Sequence, residues 1–201
     1  MGDYCKEASD MCDQQTFQFF AELRDTEIEP NIWRRFQVDS HATFADLAYV
    51  VMTLFEMRGK HLFAFRLPET EIDGSKADHI SIKEMLEVRK PFTMLYDFGD
   101  SWEVQLCMES KEIGDGTAPK VLNGEGYGII ENCAGAPMLS RYTGALPVDT
   151  FAFDEQQYKK FVRTYKKELD LAWFDLDYMN ARLKEIPQIL RSQYHPYPCK
   201  E

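Results

Sequence analysis

The stretch from Pro91 to Met108 constrains the fold most strongly, because it predicts two β-strands joined by a tight turn. Apolar side chains alternate with other residues on both sides of the turn, and a period of two is typical of a half-buried strand. The alternating apolar set is Phe92, Met94, Tyr96 and Phe98 before the turn and Trp102, Val104, Leu106 and Met108 after it. Both halves would share one face, so we predict a β-hairpin that offers an aromatic surface to a core.

The turn of this hairpin is acidic and allows two interpretations. Asp97, Gly99 and Asp100 supply it, since glycine accepts a positive φ and aspartate hydrogen-bonds the local backbone. Asp97-Phe98-Gly99 also matches the metal-binding tripeptide of protein kinases, but the sequence has neither their glycine-rich phosphate loop nor their His-Arg-Asp stretch. We favour a turn with solvated carboxylates over the alternative, in which Asp97 and Asp100 line a site at the end of the sheet.

Periodicity elsewhere predicts that helices pack on a sheet that includes this hairpin. The predicted strands are 17–23, 32–38 and 60–67, and the predicted helices are 43–54, 81–86, 154–169 and 175–186. The fold class is therefore α+β, with a mixed, mainly antiparallel sheet and C-terminal helices packed on it. The β-β-α-β opening is similar to that of the β-grasp fold, by analogy alone.

The same patterns predict helix ends and buried side chains. Thr43 and Asp46 would form a capping box at the start of the first helix, and Gly59 would end that helix. The large residues that we expect to be buried are Trp33, Phe65, Tyr96 and Trp102, together with Met85 and Leu176 on the inward faces of their helices.

Two basic side chains fall on the apolar faces of predicted strands. Arg34 shares its face with Ile32 and Phe36, so its stem either passes an edge to reach solvent or a carboxylate, which we favour, or it binds an anion. His61 shares the parity of Phe63, and we expect a hydrogen-bonded structural histidine rather than a ligand-binding one.

Residues 110–150 are rich in glycine and proline and show little periodicity. A structureless loop of that length inside a compact domain is uncommon and often functional. We therefore predict a binding site where the 97–101 turn meets this loop, with Asp97 and Asp100 approached by Glu125 or Glu131. Close carboxylates repel one another, so a cation such as Arg34 or a raised pKa would have to relieve them.

The charge balance argues against nucleic acid as a partner. The 201-residue chain has 34 acidic and 23 basic residues, which gives a net charge of −11. Phosphate backbones repel such a surface, so we expect weak binding to duplex DNA at physiological salt. A protein or peptide partner is favoured, and a monomer is favoured over an oligomer.

Cysteine usage and the chain ends indicate the compartment and the domain count. The five cysteines are scattered without metal-binding spacing, so we predict no metal, no cofactor and reduced thiols in the cytoplasm. The acidic N-terminus is unlike a secretory signal, and no apolar segment is long enough for a membrane span. We expect a flexible leader at 1–14, a single domain at 15–190 and a tail at 191–201.

Four stretches resemble the plasmid pRiA4b ORF-3-like family, which is also represented among passenger proteins of transposable elements. They are Ile32–Arg35, Thr43–Leu54 with His61 and Leu62, Leu95–Trp102, and Phe174 and Asp175 with Asn180 and Leu183. Two features depart from the family pattern: Val104 stands where a histidine is frequent, and residues 129–135 replace a Pro-Pro-Glu-Asp-Cys-Gly-Gly phrase. The resemblance implies a fold and no established reaction.

Three functions follow in order of preference. The first is a non-enzymatic binding or adaptor domain that recognises a protein or peptide through the hairpin end and the long loop. The second is a metal-assisted, hydrolase-like enzyme, for which the candidate residues are His61, Asp97, Asp100, Glu125, Glu131 and Cys133. The third, nucleic-acid binding, depends only on the mobile-element association of the family.

Overall fold

The computed structural model describes residues 15–24, 31–114, 117–131, 134–139 and 171–194. Four sequence-based predictions lie outside these residues: the leader at 1–14, the helix at 154–169, the role of Cys133, and the tail beyond residue 194.

A seven-stranded sheet forms the body of the described chain, in the order β4-β3-β5-β6-β1-β2-β7. Its strands are β1 (Gln15–Leu23), β2 (Trp33–Asp39), β3 (Phe63–Arg66), β4 (Glu71–Asp73), β5 (Pro91–Tyr96), β6 (Trp102–Ile113) and β7 (Lys120–Glu125). Each neighbouring pair is antiparallel. The hairpin of β1 and β2 therefore lies between the central hairpin and β7.

Helices join and cover these strands. They are α1 (Phe44–Leu54), α2 (Ile82–Met85), α3 (Ala136–Leu139), α4 (Leu176–Leu183) and α5 (Ile186–Gln193), with a 3-10 turn at Ala77–His79. The predicted α+β class, the β-β-α-β opening and the C-terminal helices are confirmed, because α4 contacts β7 and both C-terminal helices contact α1. Within the described ranges, no helix has the length and apolar character needed to cross a lipid bilayer.

The helix α1 matches the predicted range of 43–54, but Gly59 is not its C-terminal cap. The Thr43 side chain accepts from the Asp46 N–H and the Asp46 carboxylate accepts from the Thr43 N–H, which completes the capping box. Glu56 then takes a left-handed conformation with φ of 60°, and the N–H of Met57 donates to the carbonyl of Met52. Glu56 thus occupies the position that we assigned to Gly59, because the helix had already ended at Leu54.

One face of the sheet packs against α1. Phe65, Tyr96 and Trp102 are buried there as predicted, and the Phe44 ring of α1 lies 5.1 Å from the Phe65 ring. Trp33 is only partly buried, because strand alternation places it on the opposite face, where it stacks on Phe20. The prediction for Trp33 was therefore wrong.

Three other inward placements were also wrong, each because an element ends near the residue. Phe98 is exposed, since β5 stops at Tyr96 and Phe98 lies in the turn. Met85 is exposed in a one-turn helix that buries Ile82 instead. Leu176 is the first residue of α4 and faces solvent.

The region predicted as a structureless loop at 110–150 contains part of the sheet. β6 continues to Ile113, and β7 pairs with β2 through a bulge at Arg35 and Phe36. Gly124 interrupts the pattern of β7, where a Cβ atom would lie 2.7 Å from the Phe174 ring and 2.8 Å from the Trp33 carbonyl oxygen. The close approach of Phe174 excludes a larger residue at position 124.

Candidate functional site at the end of the central hairpin

The turn that joins β5 and β6 is held by its own first aspartate. Asp97 Oδ1 accepts from the N–H groups of Gly99 at 3.1 Å and Asp100 at 3.4 Å. Asp97 and Ser101 have φ of 54° and 53°, in the left-handed region that few residues other than glycine adopt. The turn caps itself as we favoured, but the Asp97 carboxylate is only 12% exposed rather than solvated.

His61 ties this turn to the segment that precedes β3. Its Nδ1 atom lies 3.3 Å from Asp97 Oδ2, and its ring meets the Tyr96 ring edge-on at 5.7 Å. The backbone N–H of Asp97 also donates to the carbonyl of Leu62. His61 therefore contacts Asp97 and Tyr96 and keeps a partly exposed ring, and its assignment as a structural rather than a ligand-binding residue stays a prediction.

Behind His61 lies a buried hydrogen-bonded pair, Tyr96 and Glu131. The Tyr96 hydroxyl donates to Glu131 Oε1 at 2.6 Å, and the same oxygen accepts from the N–H of Arg58 at 2.6 Å. The N–H of Lys60 donates to the Tyr96 hydroxyl oxygen at 3.2 Å. Burial and the neighbouring Glu131 carboxylate raise the pKa of Tyr96 well above its usual range, so the phenol stays protonated. The pair therefore holds the backbone of residues 58–60 through hydrogen bonds to two of its N–H groups.

The chain segment after Glu131 packs against the turn. A Cβ atom on Gly135 would lie 2.5 Å from the Asp100 carbonyl oxygen, and Gly135 itself has φ of 83°. Asp100 Oδ2 and Trp102 Nε1 are buried without a hydrogen-bond partner among the described residues. The 97–101 turn thus meets the segment after β7 at Gly135. Glu131 instead bonds Tyr96 and Arg58, and its predicted approach to Asp97 or Asp100 stays a prediction.

Asp97, His61, Tyr96 and Glu131 form one cluster at the hairpin end. Two residues that the sequence predicted for the site lie away from this cluster, and the first is Glu125. Its side chain accepts from Trp33 Nε1 at 3.2 Å on the opposite face of the sheet. The strands β1 and β2 separate β7 from the central hairpin, a distance of about 14 Å at the usual strand spacing. Glu125 therefore cannot approach Asp97 or Asp100.

The second is Arg34, which neither reaches solvent nor binds an anion. Its guanidinium donates five hydrogen bonds, all to backbone carbonyls. The acceptors, at 2.6–3.0 Å, belong to Trp33, Leu54, Glu125, Gly126 and Tyr127. Burial lowers the pKa of Arg34 to about 9, which leaves it charged at neutral pH. Both sequence-based interpretations of Arg34 were wrong, because the residue joins the end of α1 to the end of β7.

A cavity of about 360 Å³ opens beside the cluster. It is lined by Arg58, Gly59, Lys60, His61, Leu62, Gln193 and Tyr194. Leu62, at its edge, is 45% exposed, and Phe98, one residue after Asp97, is 54% exposed. Apart from His61, sequence reasoning missed these residues, although the cationic stretch from Arg58 to His61 between a helix and a strand was a signal that could have indicated them.

The side chains of this site do not form a set of metal ligands among the described residues. In the part of the chain that the structure describes, no group of three or more His, Cys, Asp or Glu side chains is placed to hold a metal ion. The arrangement instead provides a hydrogen-bonded frame, a cationic cavity and two exposed apolar side chains.

The buried pair yields a stability prediction. We expect Tyr96→Phe to lower the free energy of unfolding by about 1–3 kcal/mol, because Glu131 loses a hydrogen bond in a buried position. Glu131→Gln should cost a similar amount, and the double variant should cost less than the sum of the two. Urea denaturation of the four proteins measures this coupling.

Tyr49→Phe is the matched control for that cycle. Tyr49 is equally buried, but its hydroxyl has no hydrogen-bond partner among the described residues. We expect its loss to change the free energy of unfolding by less than about 0.5 kcal/mol. Strict additivity of Tyr96→Phe and Glu131→Gln would contradict the direct hydrogen bond.

The fold and the site together define a class: an α+β domain whose antiparallel sheet carries a hydrogen-bonded site at one hairpin end. The family model described as plasmid pRiA4b ORF-3-like protein matches residues 15–178, and the chain belongs to that family.

The solved structures include one with the same fold. The crystal structure of the protein of unknown function MM3350 from Methanosarcina mazei Go1 aligns with a TM-score of 0.64 at 19% sequence identity. The alignment covers 81% of this chain and 95% of that chain. A search of curated proteins finds no match. At this identity the likeness shows the fold alone.

Proposed function

We propose that the protein is a non-enzymatic binding module that recognises a protein or peptide segment at the end of the central hairpin. One observation carries the proposal: Leu62 and Phe98 expose apolar surface on backbone that is hydrogen-bonded together, next to a cavity. Contiguous apolar patches, rather than single exposed side chains, mark interaction surfaces, and these two residues lie on adjoining segments.

The frame supports this proposal because it needs no ordering when a partner binds. Asp97 fixes the turn that carries Phe98, and the bond from the Asp97 N–H to the Leu62 carbonyl holds the two segments together. Affinity rises when groups are held in their bound geometry beforehand, since less conformational entropy is lost.

The proposal includes an accessory role in the cytoplasm. The family resemblance implies no established reaction, and the mobile-element association that we expect from it would suit an adaptor that links other proteins. The high acidic charge of the chain disfavours direct contact with the nucleic acid of such an element.

A random peptide library displayed on phage tests the proposal. We expect selection on the wild-type protein to yield peptides whose affinity falls about tenfold or more for the Leu62→Ala/Phe98→Ala variant, since burying two apolar side chains contributes at least 1.4 kcal/mol. Both residues are exposed, so the variant should unfold within about 0.5 kcal/mol of wild type.

Ile113→Ala and Val88→Ala are the matched controls, since both residues are exposed apolar side chains outside the site. Their affinities for the selected peptides should stay within about twofold of wild type. If every selected peptide binds the Leu62→Ala/Phe98→Ala variant as well as wild type, the hairpin end is not the recognition surface.

A hydrolase is the second candidate, and one contact favours it. Asp97 orients His61 beside the cavity, which is the arrangement of a general base held by a carboxylate. Assays with p-nitrophenyl acetate and bis-p-nitrophenyl phosphate test this activity. Hydrolysis that His61→Ala abolishes would favour the enzyme over the binding module.

A further inference from the structure

We propose that the segment bound at this site is an acidic peptide, with a carboxylate in the cavity between Arg58 and Lys60 and an apolar side chain on Leu62 and Phe98. This inference rests on the proposed function and names the chemistry of its ligand.

The sign of the exposed charge is the first argument. The Arg58 side chain is 59% exposed and Lys60 is exposed, and both line the cavity. The neighbouring carboxylates are withdrawn: Glu131 is 2% exposed and accepts from Tyr96. Asp97 is also largely buried against His61. A ligand that arrives from solvent therefore meets cations, with the acids behind them.

The availability of these cations is the second argument. Lys60 has no carboxylate partner among the described residues, and the nearest Arg58–Glu131 contact is a long 4.0 Å. Some other exposed cations are paired, such as Arg66 with Glu71 and Lys90 with Glu87, whereas Lys83 and Arg89 stand apart from this cavity. The cavity thus presents positive charge that the protein itself leaves largely uncompensated.

The fixed spacing of these cations is the third argument. The N–H of Arg58 donates to Glu131 and the N–H of Lys60 donates to Tyr96, so the backbone on both sides of Gly59 is anchored to buried groups. Gly59 itself has φ of 67°, and a Cβ atom there would lie 2.8 Å from Leu190 Cδ2. The backbone that carries the Arg58 and Lys60 side chains is therefore held in place, and so are the points from which the two side chains extend.

The overall charge of −11 does not prevent an acidic ligand from binding here. At physiological ionic strength the Debye length is about 8 Å, so charges beyond the immediate site are largely screened. A volume of about 360 Å³ lies at the lower end of ligand sites, which suits one side chain of an extended peptide rather than a whole folded partner.

The peptide library distinguishes this inference from the proposed function on which it rests. We expect the peptides that depend on Leu62 and Phe98 to be enriched in Asp and Glu beside an apolar residue. Their affinity should fall about tenfold for Arg58→Gln/Lys60→Gln, as two half-exposed ion pairs are lost. It should change less than about twofold for the control Arg66→Gln/Lys83→Gln, which removes the same charge elsewhere.

Three results would overturn the inference. Peptides that depend on Leu62 and Phe98 but carry no acidic enrichment would refute it and leave the proposed function standing. A library without any such peptide would refute both. Acidic peptides that bind Arg58→Gln/Lys60→Gln as tightly as wild type would place their carboxylate elsewhere.

A titration with inorganic phosphate tests whether the anion that binds in the cavity is a peptide carboxylate or a phosphate group. Titration with phosphate alone should leave the amide NMR signals of Lys60 and His61 unchanged below about 1 mM, since an isolated exposed cation pair binds a free anion weakly. Saturable shifts below that concentration would replace the peptide carboxylate by a phosphate ligand and overturn the inference.

Discussion

Arg34→Met is expected to lower the free energy of unfolding by about 3–5 kcal/mol. The substitution keeps much of the apolar stem but removes all five N–H donors, so backbone carbonyls at the end of α1, in β2 and after β7 lose their partner in a buried place. It also removes a positive charge that favours ionised Glu56, a group whose pKa burial already raises. Arg34→Lys should be nearly as damaging, because an ammonium has three donors and no planar fork.

Urea denaturation of Arg34→Met and Arg35→Met gives the comparison, since the two arginines are neighbours on β2 and point to opposite faces. Arg35 is partly exposed and pairs with Glu109 at 2.7 Å, so its loss should cost less than about 1 kcal/mol. Absence of a cooperative transition in Arg34→Met would agree with the larger cost. Equal denaturation midpoints for the two variants would refute the role assigned to Arg34.

Trp102→Ala is expected to cost about 3–5 kcal/mol, the second large effect. Trp102 is fully buried and pairs with Tyr96 where the central hairpin closes, so truncation leaves a large cavity under the candidate site. Its indole N–H has no partner among the described residues, so Trp102→Phe removes area without breaking a hydrogen bond and should cost less than Trp102→Ala.

Trp33→Ala is the matched control for Trp102→Ala. Trp33 lies partly buried on the other face of the sheet, stacked on Phe20 at 5.6 Å, so its truncation should cost about 1 kcal/mol. Circular dichroism is the suitable probe, because both substitutions remove a fluorophore. A cost for Trp33→Ala that equals that of Trp102→Ala would show that both faces of the sheet are equally packed.

Local patterns in the sequence predicted the elements whose stabilisation is local. Alternation located the central hairpin, and Thr43 with Asp46 located the start of α1, because both signals act within a few residues. The same reasoning predicted that Asp97 caps its own turn. The sequence pattern does not indicate β7, because a bulge and Gly124 interrupt its alternation where the strand contacts β2 and Phe174.

Distant contacts explain what local patterns could not predict at the site. Glu131 was a candidate, but its partners Tyr96 and Arg58 are 35 and 73 residues away, and nothing in the sequence specifies those pairings. Arg34 likewise finds carbonyls 91 to 93 residues further along the chain. Glu125 was misplaced because the N-terminal hairpin is inserted between β6 and β7, a choice of strand order that alternation does not reveal.

The inserted N-terminal hairpin affects the timing of synthesis. Gln18 of β1 and Glu109 of β6, which contact each other in the sheet, are 91 residues apart in sequence. At about 5–20 residues per second, a ribosome needs roughly 5–20 s to supply β6 after β1. During that interval β1 and β2 present two unpaired, aromatic-rich edges, which is the state most prone to pair with another chain. Translation rate and chaperone supply should therefore govern the yield of this protein more than the stability of its finished sheet does.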